Sequence, residues 1–340
     1  MDKILVSIII PFYNTRDFLE AALDSVQEQD LKDIEVILID DGSTDDSAEL
    51  AKRFCIKDAR FTLIQQANQG VAQARNRGLQ KARGTYLYFM DADDLLMRHG
   101  LKYMVAEAQR YGLSMVVGET NLFYGSNITS LTDVPEKCYT MEIMSSSKFV
   151  QRHQKKCVVW AYLYRKDFFE QQVVSFLNVR YFEDCELTPR AVLSVECIGY
   201  VAQPFHGYRK RFGSITTGKR NERFSEDALR AAKSLVAFFD GKILSEPQNR
   251  YLATWIAELF LLALGNARRR NSTSYHDVRM ARDRLLPFLM VSIHKKHKMI
   301  HQVARDHWQL LHVLFQIRYA WGQIYDNMVI FIRREEKVYR

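Results

Sequence analysis

Four short apolar runs in the first 95 residues, each closing on a polar or acidic turn, limit what this chain can fold into. They are Ile4–Ile10, Glu35–Ile39, Phe61–Gln65 and Tyr86–Met90. Each suits the length of a strand, and β-branched and aromatic residues dominate them. Between them lie segments of about 10–15 residues with helical apolar spacing, such as Phe18, Ala22, Leu23 and Val26, a helix that Asn14 or Thr15 would cap. Alternation of this kind predicts the α/β class: a mostly parallel central sheet with helices on both faces. Further along, a helix over 100–110, strands at Leu113–Gly118 and Val158–Tyr164, a short helix at Asp167–Gln172, a helix ending near Ser194, and strand and loop over Cys197–Tyr208 extend the domain. From Phe224 the pattern is helical. We therefore expect two domains, 1–220 and 221–340.

The turns after the strands carry the chemistry. They read Tyr13-Asn14, Asp40-Asp41-Gly42-Ser43-Thr44-Asp45, Asn68-Gln69-Gly70 and Asp91-Ala92-Asp93-Asp94. In open α/β sheets ligands bind at the carboxyl edge of the strands, so four such turns on one edge build a pocket. Two carboxylates one residue apart suit a hard divalent cation that bridges substrate phosphates. The competing reading is that these acids cap the next helix. No G-x-G-x-x-G follows the first strand and no G-x-x-x-x-G-K-[ST] is present, which disfavours dinucleotide oxidoreductases and P-loop NTPases.

Composition narrows the setting. The five cysteines form no CxxC pair and are odd in number, which points to reduced thiols in the cytoplasm. Ile4–Ile10 is too short for a signal peptide, and the longest apolar stretch, Leu252–Leu264, contains Glu258 and falls short of the ~18 residues of a membrane span. The net charge of +8 is uneven: after Gly265 there are 15 Lys and Arg against 6 Asp and Glu. The turn-bearing part and the basic part are different regions.

Taken together, Ser7–Asn14, Asp40–Asp45, Asn68-Gln69-Gly70 through Ala74-Arg75-Asn76-Arg77-Gly78, and Asp91–Asp94 resemble the family 2 glycosyltransferases of GT-A fold, over roughly residues 4–216. The resemblance implies an inverting, metal-dependent transfer of a sugar from a nucleotide-sugar donor, UDP-sugar favoured, to a glycan or lipid-linked acceptor in bacterial surface-polysaccharide assembly. It implies that Pro11, Tyr13 and Asn14 lie along the nucleotide, and that Asp41, with Asp40 beside it, accepts the uracil N–H. Asn68, Gly70 and Arg75 would lie near the base and diphosphate; Arg75 would contact phosphate or the first acid loop, or else form a structural ion pair on its helix face. Asp91 and Asp93, flanking Ala92, match the DXD motif that holds Mg²⁺ or Mn²⁺ on the diphosphate. Glu183-Asp184 matches the ED motif, whose Asp is the general base that takes the acceptor hydroxyl's proton; the alternative for Asp184 is an N-cap ahead of a helix over Cys185–Leu193. Glu183 and Trp160 would face the acceptor, with a core tryptophan as the alternative for Trp160. Tyr208, Arg209, Ser214, Ile215 and Thr216 resemble a segment that closes over the diphosphate. His206 is either a third metal ligand or a structural histidine. No processive Q-x-x-R-W motif is evident, so one sugar per encounter is implied.

The basic region has two readings. Arg268-Arg269-Arg270, the run His294–Lys298 and Arg333-Arg334 alternate with apolar stretches holding Trp308, Phe315, Trp321 and Phe331. Such a pattern suits peripheral contact with the inner face of the cell membrane, or packing on the catalytic domain or on a second copy of the chain. No recognised nucleic-acid module accompanies the charge, so no nucleic-acid partner is expected. The rivals to a transferase are a sugar-1-phosphate nucleotidyltransferase, which needs a glycine-rich first loop that Pro11–Asn14 is not, and a catalytically silent nucleotide- or membrane-binding scaffold.

Overall fold

A computed structural model describes residues 4–125, 135–153, 157–173, 175–210, 222–267, and 273–301 apart from 293, 295, 296 and 299. The chain divides into two compact units, Met1–Asn178 with Arg190–Arg209, and Val179–Pro189 with Lys210–Arg340. The segment that precedes and opens the Glu183 helix groups with the helical part.

The first unit runs β1 (Val6–Phe12), α1 (Arg16–Gln27), β2 (Ile34–Asp40), α2 (Ser47–Lys57), β3 (Phe61–Gln65), α3 (Val71–Lys81), β4 (Tyr86–Phe89), β5 (Leu95–Leu96), α4 (Gly100–Arg110) and β6 (Met115–Tyr124). It continues through β7 (Met141–Ser145), α5 (Ser146–Arg152), β8 (Tyr162–Arg165), α6 (Lys166–Phe168), the last turns of α7 (Glu183–Ser194), and β9 (Cys197–Lys210). Among the described residues these strands form one sheet in the order β3-β2-β1-β4-β8-β6-β9-β5, with β7 on β9. β1 pairs in parallel with β2 and β4, and β2 with β3. Beyond β4 the sheet turns antiparallel, at β4–β8, β6–β8, β5–β9 and β7–β9. The architecture is thus a mixed α/β sheet: its parallel part is the segment that alternation made legible.

Every residue of β1 and β2 is buried. Helices cover both faces of parallel strands, so such strands read as continuous apolar runs. On one face Val6, Ile8, Ile10, Val36 and Leu38 pack with Leu19, Leu23 and Val26 of α1 and with Leu50 and Phe54 of α2. On the other, α3 approaches so closely that a Cβ on Gly78 would lie 2.4 Å from Ile9 Cγ2. Each fully buried aliphatic side chain of this kind contributes about 1.5–3 kcal/mol.

Several elements depart from expectation. Cys197–Lys210 is one continuous strand, because β5, β6 and β7 hydrogen-bond along it. Trp160 lies in a 3-10 turn, Val159–Ala161, that precedes β8 rather than within the strand. The expected short helix is split: α6 is followed by a π-helical turn, Phe169–Val173. The two-residue β5 and β7, which Glu142 interrupts, carry no apolar run long enough to announce them.

In the second unit, α8 (Glu222–Phe239), α9 (Glu246–Asn266), α10 (Thr273–Leu285) and α11 (Phe288–Val291) form a helical array. α9 is buried on all sides, including Tyr251, Ile256, Phe260 and Leu264, and α8, α10 and α11 all contact it. Its start is a capping box between Ser245 and Gln248, with proline in the first turn. Among the described residues no helix is long and apolar enough to cross a membrane. Arg268-Arg269-Arg270, Lys295, Lys296, and the aromatic and basic residues beyond 301 lie outside the described residues, as do Ser214, Ile215 and Thr216.

Candidate active site

The carboxyl ends of β1, β2 and β4 lie side by side, with Phe12 opposite Asp40 and Ile9 opposite Phe89. The first two turns are tied together. Asn14, in the left-handed region at φ 50°, accepts from Thr44 N (2.7 Å), and its own N–H donates to Ser43 Oγ (3.1 Å). Asn14 therefore bonds across to the second turn instead of capping α1. Thr15 holds the cap position without a side-chain bond. Pro11 is buried beneath, and Tyr13 stands out into solvent.

Asp40 and Asp41 are both buried, and each has work within the protein. Asp40 accepts from Ser43 N (2.8 Å) and Gln65 Nε2 (2.9 Å), which shapes the second turn. Asp41 gathers the third turn: Oδ1 accepts from Gln66 Nε2 (2.8 Å) and Gln69 N (2.9 Å), and Oδ2 from Gly70 N (2.8 Å). Three N–H donors leave lone pairs over on a carboxylate, which can accept about four bonds. Gly70 leaves this clamp with φ 92°, a conformation glycine tolerates, and opens α3. Asn68 is exposed beside it.

The fourth turn leaves β4 as Asp91-Ala92-Asp93-Asp94, closed by Asp94 N donating to Asp91 O (3.2 Å). Asp91 and Asp93 are partly exposed, and Ala92 and Asp94 are buried. Arg75 of α3 pairs with Asp91 at 2.6 Å and lies 5.4 Å over the Phe176 ring. His99 holds the cap position of α4, so none of these acids caps it. Asp91 and Asp93 could hold a divalent cation: both are hard oxygen donors at the open side of the turn.

Beneath the turn Asp94 bonds His206 Nε2 through Oδ2 (2.8 Å) and Arg209 N through Oδ1 (2.8 Å). His206 Nδ1 meets the Tyr88 hydroxyl at 2.7 Å. With both ring nitrogens engaged, His206 has no lone pair to offer a metal, so the structural alternative is the one the fold adopts. Burial pushes its pKa down to about 3, against the pull of Asp91 and Asp93. Burial drives the Asp94 carboxyl well up, and the charges of Asp91 and Asp93 add to that. Trp160 lies flat on His206 (4.6 Å, 10°) and on Tyr208 (5.2 Å, 13°). Arg209, which the resemblance places over the diphosphate, is buried between the Phe18 and Phe123 rings and donates to the carbonyls of Asp93 (2.5 Å) and Gly125. It braces the acid turn from behind.

The Glu183-Asp184 pair sits in the second unit, in the first turn of α7. Asp184 is the second helical residue and its Oδ1 accepts from Cys185 N (2.7 Å), so it is not the cap. Phe182 precedes it at φ 69°, a conformation that a bulky residue keeps only when its surroundings enforce it. Phe224 of α8 supplies that, 4.7 Å from the Phe182 ring and 5.1 Å from Tyr181. Buried Asp227 accepts from Arg180 N (2.8 Å) and Tyr181 N (3.3 Å). Sequence reasoning missed Asp227 and Gln66. Asp227 lies inside α8, and Gln66 follows β3 but belongs to no acid motif, so only their partners in space reveal them.

Comparison with known proteins fits this architecture. The family model described as Glycosyl transferase family 2 matches residues 7–160. The uncharacterized glycosyltransferase EpsJ of Bacillus subtilis is 32% identical over 243 residues, covering 69% of this chain and 70% of that protein. Glycosyltransferase GlyG of Streptococcus pneumoniae is 29% identical over 255 residues, covering 70% of this chain and 79% of that one. The crystal structure of S. aureus TarS 1-349 in complex with UDP superposes with TM-score 0.67 at 18% identity, over 94% of this chain and 92% of that chain, and shares the fold. With its acid turns in place on such a sheet and these relatives beside it, the chain belongs to glycosyl transferase family 2.

Proposed function

We propose that this transferase is inverting and metal-dependent, and that it moves a sugar from a UDP-sugar to a glycan or lipid-linked acceptor in surface-polysaccharide assembly. The observation that carries the reading is the neighbouring placement of Asp41's clamp and the Asp91–Asp93 turn at the carboxyl ends of β2 and β4. The first is poised for a base and the second for a diphosphate. The S. aureus TarS structures in complex with UDP and with UDP-GlcNAc support the choice of donor.

In this reading Asp91 and Asp93 are the residues that would hold Mg²⁺ or Mn²⁺. When bound, the ion neutralises charge developing on the leaving phosphate. Asp41 keeps a lone pair for the uracil N–H while its three N–H donors fix its orientation. Arg75 tempers the negative charge of the acid turn before donor arrives. Asp184 takes the acceptor hydroxyl's proton as that oxygen attacks the anomeric carbon opposite the leaving group, which inverts the configuration. Trp160, stacked and partly exposed, offers a sugar ring an apolar face. The acceptor's lipid would bring the chain to the inner face of the membrane, through the basic region.

The test is a thermal-shift panel of UDP, GDP, CMP and UDP-sugars, each with and without Mn²⁺. At about 100 times Kd a ligand adds about 2.7 kcal/mol. Stabilisation by UDP compounds that requires Mn²⁺ is the expected result. GDP or CMP acting better would overturn the Asp41 assignment, and silence from every nucleotide would overturn the donor reading altogether.

A further inference from the structure

Tyr88, His206 and Asp94 form a buried strut beneath the acid turn, and no motif announces it. All three side chains are withdrawn from solvent. The strut starts on β4, the strand that feeds the turn, crosses to β9, and returns to the turn's last residue through bonds of 2.7 and 2.8 Å. A neutral imidazole has one N–H and one lone pair, so it can join a hydroxyl and a carboxylate at once. Trp160 lies parallel on the ring and blocks its rotation. β5 pairs beside it, Leu96 opposite His206, so the backbone on the far side of the turn is fixed as well.

We infer that His206 is a positioning residue: by gripping Asp94 it sets where Asp91 and Asp93 present their carboxylates to a divalent cation. The turn is only four residues long and closes on itself through Asp94 N and Asp91 O (3.2 Å). Fixing its final side chain therefore fixes the direction of the other two. Partners behind metal ligands typically govern affinity by about 10- to 100-fold, because they hold the ligand in place without touching the ion. The inference rests on the reading of Asp91 and Asp93 as the metal-holding pair.

The experiment is a Mn²⁺ titration of UDP binding by calorimetry, in the unmodified protein, in His206→Phe and in Tyr88→Phe. His206→Phe keeps a ring beneath Trp160 and removes both polar atoms. Tyr88→Phe removes one hydroxyl and is the milder variant should the first not fold. The expected result is a Mn²⁺ midpoint raised about 10- to 100-fold in His206→Phe and less in Tyr88→Phe. Metal-free UDP affinity should stay within about twofold, since the Asp41 clamp is intact. Unchanged midpoints overturn the inference, and so does a fall in metal-free affinity in step with the midpoint, which marks a general structural role. If UDP binding to the unmodified protein ignores Mn²⁺, the metal-holding reading itself falls, and the inference with it.

Discussion

Arg75 on α3 and Asp91 at the end of β4 form a 2.6 Å ion pair, with the Arg75 side chain only 4% exposed and that of Asp91 31% exposed. The pair ties a helix on one face of the sheet to the acid turn at its edge. A charged hydrogen bond in such a setting is worth on the order of 1.5–3 kcal/mol. Arg75→Met should lower stability by about that amount in urea unfolding. It should also weaken metal-free UDP binding, because the turn's charge then repels the diphosphate. A variant as stable as the parent and equally tight for UDP would show the pair to be incidental.

Asp41→Asn tests the clamp. Both backbone donors, Gln69 N on Oδ1 and Gly70 N on Oδ2, need an oxygen. Whichever way the amide turns, its NH₂ faces one of them, at a cost of about 1–3 kcal/mol. The expected outcome is lost stability together with lost UDP binding. Retained binding with lost stability would make Asp41 a purely structural residue.

Asp227→Ala should free the start of α7. Its carboxylate holds Arg180 N and Tyr181 N, just ahead of Phe182 and Asp184. Hydrogen exchange should rise at residues 180–184 and transfer should fall, while UDP binding by the first unit stays. Protection at those amides identical to the parent's would count against the idea.

Glu35 gives a pH signature. Burial opposes its ionisation, but the Ser7 hydroxyl (2.6 Å), Arg83 N (2.6 Å) and the Arg83 guanidinium outweigh that and hold its carboxyl below the ordinary 4.5. The folded state therefore binds its proton less readily than the unfolded one. Glu35 contributes its stability fully above pH 4.5 and loses it as pH falls through the folded value. Glu35→Gln should be less stable than the parent at pH 7, with the gap narrowing below pH 4.5. A gap constant from pH 7 to pH 3 would contradict this account.

Gly84→Ala and Gly78→Ala separate two kinds of close approach. A Cβ at Gly84 would lie 2.5 Å from Ser7 N and 2.7 Å from Val6 C, atoms of a central strand that cannot move aside. At Gly78 the obstacle is the Ile9 side chain. Overpacking typically costs about 1–3 kcal/mol, and Gly84→Ala should lie at the upper end or beyond and Gly78→Ala below it. Denaturant midpoints compare the two directly, and the reverse order would be inconsistent with a rigid β1.

The sequence by itself determined the parallel half of the fold and the turns that carry the acids. Apolar runs such as Ile4–Ile10 and helical spacing such as Phe18–Val26 act locally, and strands buried on both faces declare themselves without knowledge of their neighbours. Asp41, Asp91, Asp93 and Asp184 stood out for the same reason, since each belongs to a short motif contiguous in the chain. Tertiary structure alone decided what those residues touch. The pairing of Arg75 with Asp91 needs α3 set against the turn, and the enclosure of Arg209 by Phe18 and Phe123 needs three distant segments brought together. His206 and Asp94 are 112 residues apart, and Arg180 and Asp227 are 47 apart. A hydrogen bond between buried groups depends on direction and on the exclusion of water, and both are properties of the packed chain.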